Sequence, residues 1–247
     1  MFDLRLQNGI AIITIRHGRA NTLDIELCEA LAKCFDELRT ADARAVVITG
    51  QSRIFCAGVD LKRVTAGGVD YVHRFIPALH RLSEAVFFHP KPVAAAINGY
   101  TIAGGCVLAC CADRRIMARG RGRIGVIELL VGVPFPALAL EVIRFAVPSR
   151  YFPEVTLSGA TYDSAAALER GLVDEVVEAD VLMTHAIGAA EKLALLPSLA
   201  FAHTKNQMRL PVAERMARTG AEIDKRVAEI WSDPDTLQGV RDFVARS

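Results

Sequence analysis

Hydrophobic and polar positions change period repeatedly along this chain, and each change marks an element. Gly9–Ile15 (GIAIITI) is a β-rich apolar run that predicts a strand, entered from Met1–Arg5 with strand-like alternation. Beyond Asn21 or Thr22, either of which can cap a helix, Leu23, Leu27, Leu31, Phe35 and Leu38 recur at helical spacing. Ala45–Thr49 (AVVIT) is continuously apolar and stops at Gly50, the pattern of a strand covered on both faces. A helix is predicted from about Val69 to Phe88, followed by Pro90-Lys91-Pro92 and the strand Val93–Ile97. Next come a helix over Ala103–Cys111, a strand over Arg114–Ala118, a strand over Leu172–Val177 and a helix over Val181–Leu196. This alternation predicts an α/β fold with crossover connections. From Pro197 the pattern is helical only, over His203–Arg218, Glu222–Trp231 and Thr236–Ala245. Residues 1–196 are therefore expected to form the core, and 197–247 a helical region packing on it or on a neighbouring subunit.

Composition narrows the partners. With 29 basic and 28 acidic residues there is no electrostatic footprint for a nucleic acid, so no nucleic-acid partner is expected and an anionic ligand must be held locally. A chain that is 52% hydrophobic but only 6% aromatic predicts an aliphatic core. Residues 93–112 carry no charge and have the length of a membrane span. Asn98-Gly99 and Gly104-Gly105 interrupt them, so a buried strand plus helix is expected, with no membrane partner. The N-terminus has no basic leader and the C-terminus is not a Ser-Lys-Leu address, which makes the cytoplasm the expected location. Six cysteines, at 28, 34, 56, 106, 110 and 111, form no C-x-x-C pair. Cys106 and Cys110 stand one helical turn apart with no histidine near them in sequence, so buried thiols are expected and no metal.

Three segments carry candidate chemistry. In Lys91–Asp113 (KPVAAAINGYTIAGGCVLACCAD) a buried strand turns into a helix opening at Gly104-Gly105, and such a start presents unpaired backbone N–H groups. In Phe55–Leu61 (FCAGVDL) Gly58 permits a turn that points the Val59 N–H outward, while Asp60 can brace the loop. Either segment alone is an ordinary strand-to-helix connection. Together they supply two backbone donors, as stabilising a thioester enolate requires. The third, Ile124–Gly132, holds Glu128 among Val126, Ile127, Leu129 and Leu130, with Gly125 and Gly132 shaping the loop. Glu128 is either a first-turn acid facing solvent or a desolvated carboxylate of raised pKa, and its apolar setting favours the second. Glu141 is a reserve acid with a structural reading. Asp163-Ser164 marks a helix start, and His73, His80 and His89 are expected at a surface or rim.

Phe55–Leu61, Ala96–Leu108 and Gly125–Gly132 resemble the signature segments of the crotonase (enoyl-CoA hydratase/isomerase) superfamily, and the similarity covers nearly the whole chain, including His17–Leu23 and Leu157–Val177. The resemblance implies a crotonase-like spiral of ββα units with a C-terminal helical region, assembled as a homotrimer or dimer of trimers. It implies a coenzyme A thioester as substrate and no separate cofactor. The donors would be the N–H groups of Val59 and Gly104. Ala57, Gly58, Asp60, Leu61 and Lys62 would bind the CoA moiety, with Lys62 towards its phosphates, and Gly105 and Val107 would be further substrate-binding positions.

Hydratases of this family carry two glutamates, and the first of those positions is Val107 here; the second is Glu128. Hydration needs one group to activate water while a proton reaches C2, whereas one carboxylate suffices to move a double bond. The pattern is thus closer to mitochondrial-type Δ3,Δ2-enoyl-CoA isomerases of fatty acid β-oxidation. A hydratase recruiting another acid and a non-catalytic acyl-CoA-binding protein are the alternatives. A serine-peptidase relative is excluded, because Ser52, Ser83, Ser158 and Ser164 stand in no G-x-S-x-G setting. Val133-Pro134-Phe135-Pro136, where hydratases tend to be glycine-rich, is expected to stiffen the acyl end of the pocket.

Overall fold

The first hairpin shows how directly local sequence acts. Asn8 and Gly9 both take positive φ (51° and 77°), as a tight two-residue turn requires, and they join β1 (Phe2–Gln7) to β2 (Ile10–Ile15). This computed structural model describes residues 1–246; Ser247, the last residue of the predicted helical region, lies outside the described residues. The chain continues through α1 (Ile25–Leu38), β3 (Ala45–Thr49), β4 (Ile54–Cys56), α2 (Leu61–Phe87), β5 (Val93–Ile97), β6 (Tyr100–Ile102) and α3 (Gly104–Cys110). Next come β7 (Arg114–Ala118), β8 (Ile124–Gly125), α4 (Glu128–Val131), α5 (Ala137–Ala146), α6 (Phe152–Leu157), α7 (Ser164–Glu169) and β9 (Glu175–Val177). The last helices are α8 (Leu182–Ala194), α9 (Ser198–Arg215), α10 (Ala221–Ser232) and α11 (Pro234–Arg246).

Two sheets result. The larger runs β1-β2-β3-β5-β7-β9, parallel except for the first pair; the smaller is parallel and runs β4-β6-β8. In β3, Val46 and Ile48 join the main core with α1 and α2, while Ala45 and Val47 face Leu182, Ala186 and Ala190 of α8. The period of two explains the uninterrupted apolar run, since each face of the strand has its own cover. The uncharged stretch 93–112 forms β5, β6 and α3, and no helix among the described residues is long and apolar enough to cross a membrane.

Several boundaries differ from the sequence-based expectation. Neither Asn21 nor Thr22 caps α1: Asp24 does, accepting from the Leu27 N–H at 2.8 Å. Leu23 is withdrawn from the helix into a parallel bridge with Val59. The helix expected from Val69 begins at Leu61, where Asp60 caps it by accepting from the Arg63 N–H. Gly68, at φ 56° and ψ −145°, breaks it internally, which hides the first segment from a periodicity reading. Of Leu172–Val177 only Glu175–Val177 is strand. The C-terminal helix begins at Ser198 rather than His203 and passes through a wide π turn at Met216–Gly220 into α10. Val227, Trp231, Leu237 and Val240 of the last two helices are buried in the main core.

His89 overturns its surface assignment. It is fully buried, neither ring nitrogen has a hydrogen-bond partner among the described residues, and its ring meets Phe35 edge-on at 5.5 Å. Burial, reinforced by nearby cations such as Lys205, pushes its pKa down to about 3, so the neutral ring behaves as an aromatic filler. His80 is half-buried and sits 3.1 Å from an Asp224 carboxylate oxygen, a bond that raises its pKa; His73 is exposed.

Candidate active site

The site is assembled where the smaller sheet hands its strands on to helices. β4 delivers Ala57–Asp60, and β6 delivers Ala103-Gly104 at the start of α3. Gly58 takes φ 89°, and a Cβ there would come within 2.7 Å of the Ile102 carbonyl oxygen and 3.4 Å of Gly104 N. Only glycine lets the two segments approach this closely. The Leu23 N–H donates to the Gly58 carbonyl at 2.7 Å and the Asp60 N–H to the Leu23 carbonyl at 2.9 Å. Val59 lies between those bonds, and its own N–H has no hydrogen-bond partner among the described residues.

Gly104 is the first residue of α3, so helix geometry leaves its N–H without an acceptor. Ala103 before it holds φ 51° and ψ −123°, a conformation that a side chain disfavours. Strain of this kind costs on the order of 1–3 kcal/mol and is typical of functional sites. Gly105 has a different duty. A Cβ there would fall 2.1 Å from the Cys56 carbonyl oxygen, so this glycine packs α3 against β4 and does not line the cavity.

Both segments open on a cavity of about 110 Å³. The donor segments contribute Ala57, Val59, Leu61, Ala103 and Gly104 to its wall. Val107 of α3 joins Ile127, Glu128 and Val131 from the one-turn helix α4, and Val133, Pro136 and Ala139 follow. Leu79 and Ser83 come from α2, Trp231 from α10 and Phe243 from α11. Glu128 is the one ionisable side chain in that lining. It is 7% exposed, and its Oε2 has no hydrogen-bond partner among the described residues. Burial raises its pKa from 4.5 to about 7, against the smaller lowering effect of backbone hydrogen bonds at Glu128 and Ile127. The solvent-facing alternative for this residue is thereby ruled out.

Other candidates fall outside the lining. Asp60 is the N-cap of α2, Lys62 is exposed on its first turn, and Gly58 shapes the donor segment from behind. Glu141 is held by Arg215 at 2.6 Å and Arg144 at 3.2 Å, away from the cavity. The stiff Val133–Pro136 segment is clamped from the C-terminal helices: the Trp231 indole N–H donates to the Pro134 carbonyl at 3.0 Å, and Asp224 accepts from the Ala137 N–H at 2.7 Å. Leu79, Ser83, Trp231 and Phe243 were not legible as site residues. Each lies outside the three motifs, and their buried or partly buried positions on amphipathic helices look like ordinary core. All six cysteines are buried and free, and no cluster of metal-ligating groups occurs among the described residues. In chemical terms the arrangement offers two free backbone donors and one protonatable carboxyl in an apolar enclosure.

Comparison with known proteins agrees with that geometry. The profile of the enoyl-CoA hydratase/isomerase family matches residues 5–246. The chain is 30% identical to a probable enoyl-CoA hydratase of Rhizobium meliloti, over 97% of this chain and 93% of that one. It is 28% identical to the mitochondrial enoyl-CoA delta isomerase 1 of Mus musculus, over 93% and 80% of the two chains. The crystal structure of human mitochondrial delta3-delta2-enoyl-CoA isomerase matches with a TM-score of 0.95, covering 99% of this chain and 97% of that one at 23% identity. That likeness shows the crotonase fold, with its two sheets and C-terminal helices.

Proposed function

The chain belongs to the enoyl-CoA hydratase/isomerase family, and on that premise we propose that it shifts the double bond of a 3-enoyl-CoA to the 2-position. The observation that carries this reading is the single carboxyl of the cavity: Glu128 is there, and Val107 supplies no second acid. The thioester oxygen lies between the N–H groups of Val59 and Gly104. Glu128, ionised, removes a proton from C2; the electron pair moves onto the thioester oxygen and a dienolate forms. The protonated Glu128 then returns the proton at C4, the electrons flow back, and the C2=C3 bond is left. A carboxyl with a pKa of about 7 suits this double duty, because it is neither too weak a base nor too weak an acid near neutral pH. The apolar wall keeps water from competing for the dienolate.

The CoA portion extends past Leu61 towards the exposed Lys62, which can meet its phosphates. For the assembly we propose a homotrimer or dimer of trimers, supported by the outward-facing Leu195, Leu196, Leu199 and Met208 around α9; light scattering tests it. The enzyme offered 3-enoyl-CoA and 2-enoyl-CoA in parallel tests the reaction. The expected result is 2-enoyl-CoA from the first and no 3-hydroxyacyl-CoA from the second. Efficient hydration would make it a hydratase, and tight binding without turnover a binding protein.

A further inference from the structure

This inference rests on the reading that Val59 and Gly104 hold the thioester oxygen, and concerns what aims the first of those donors. β4 pairs with β6 through Ile54–Tyr100 and Cys56–Thr101, so Phe55 is the extra residue of a β-bulge. A bulge bends its strand and strips carbonyls of their ladder partners, and buried carbonyls must be satisfied elsewhere. Here two asparagines do so. The Asn21 Nδ2 donates to the carbonyls of Ile54 and Phe55, both at 3.2 Å, and the Asn98 Nδ2 donates to Ile54 at 3.4 Å.

Neither asparagine has slack. Asn21 is fully buried, holds φ 51°, and its Oδ1 accepts from the His17 N–H at 2.9 Å. The Asn98 Oδ1 accepts from the Gly50 N–H at 3.0 Å. In both, the oxygen faces an N–H and the nitrogen faces carbonyls, the nearer one for Asn98 being that of Ser52 at 3.2 Å, so a reversed amide would set N–H against N–H and carbonyl against carbonyl. The two side chains approach from different directions. Asn21 belongs to the His17–Asp24 segment, which also grips the donor loop directly: the Ala57 N–H donates to the Ala20 carbonyl at 3.0 Å, and the two Leu23 bonds flank Val59. Asn98 lies between β5 and β6, immediately before the strand that leads to Gly104.

We infer that Asn21 and Asn98 are positioning residues for the oxyanion donors, holding the β4 bulge so that the Val59 N–H meets the same oxygen as the Gly104 N–H. Such a site requires both donors within about 2.7–3.1 Å of one atom. A misplacement near 1 Å can cost about 100-fold in rate.

The test is the carbonyl stretch of a bound saturated thioester, carbon-13-labelled butyryl-CoA, recorded by infrared difference spectroscopy. Hydrogen bonding to the oxygen lowers that frequency. Wild type should show the lowering. Asn21→Asp, which keeps the shape but cannot donate, should lose much of it and fall roughly 10- to 100-fold in kcat on 3-enoyl-CoA, while free CoA binds as before. Should Asn21→Asp fail to fold, Asn98→Ala at its half-buried position makes the same test. Variants that retain the full lowering and kcat, with only a reduced Tm, would overturn the positioning role and leave the oxyanion site standing. Absence of any lowering in wild type would overturn the oxyanion reading and this inference with it.

Discussion

Two carboxylates drawn into the interior of this molecule, the half-buried Asp113 and the buried Glu128, live opposite lives. Asp113 accepts from the Lys205 ammonium at 2.6 Å, the Arg209 guanidinium at 2.7 Å and the Val93 N–H at 2.8 Å. Through those bonds it ties α9 to the start of β5. Glu128 is buried more deeply still, yet no cation among the described residues reaches it and one of its oxygens is unpaired. The cation at the Asp113 site shows the strain of burial instead: desolvation lowers the Lys205 pKa to about 8, even with Asp113 working against it. Burial alone therefore does not mark a functional acid. What separates Glu128 is that its charge has been left uncompensated, which raises its proton affinity into the range that the proposed acid–base role needs.

The comparison breaks most sharply by mutation. Glu128→Gln keeps shape and removes the base, so isomerisation of 3-enoyl-CoA should fall by about 10²–10⁴-fold in kcat, with thioester affinity little changed in a binding titration. Asp113→Asn should do the reverse. It strands Lys205 and Arg209 in the interior and should cost about 3–5 kcal/mol in urea denaturation, with turnover per folded molecule preserved at low temperature.

A third expectation separates the two sites by pH. Because the folded-state pKa of Glu128 is raised from 4.5 to about 7, the folded protein binds this proton more tightly than the unfolded chain. The contribution to stability is full below pH 4.5 and is lost as pH rises through 7. Glu128→Gln should then be more stable than wild type at pH 8 by on the order of 3 kcal/mol, with the gap closing towards pH 4.5. Paired melts at the two pH values check this. The smallest effect is expected for Val107→Glu, which adds a second acid to the lining and should raise hydration of 2-enoyl-CoA roughly tenfold, short of what an evolved acid–base group gives. No change in a variant that still isomerises would show that Val107 does not divide the two reactions.

What could be read from the sequence followed the range of its signals. Continuous apolar runs such as Ala45–Thr49 and Val93–Ile97 revealed the large sheet, because burial on both faces leaves no polar interruption. The small sheet that carries the donor loops was invisible, since β4, β6 and β8 span at most three residues each and show no periodicity. Glycine pairs misled in two places. Gly67-Gly68 concealed the first turns of α2, and Gly105 looked like part of the binding loop when its task is to pass close to Cys56. Asn21 looked like a helix cap, because a cap and a bulge clamp use the same short amide. The burial of Glu128 in the cavity wall was legible for the opposite reason: a charge set in an apolar run has few structural explanations. Trp231 and Phe243 had no such contrast with their surroundings.

The central claim is that one unpartnered carboxyl carries the proton in both directions, and the pH dependence of kcat/KM on 3-enoyl-CoA tests it most directly. The account predicts a rise governed by a single ionisation with its midpoint near 7, where burial places Glu128. A midpoint in the ordinary carboxylate range near 4.5, or a rate already flat there, would contradict it.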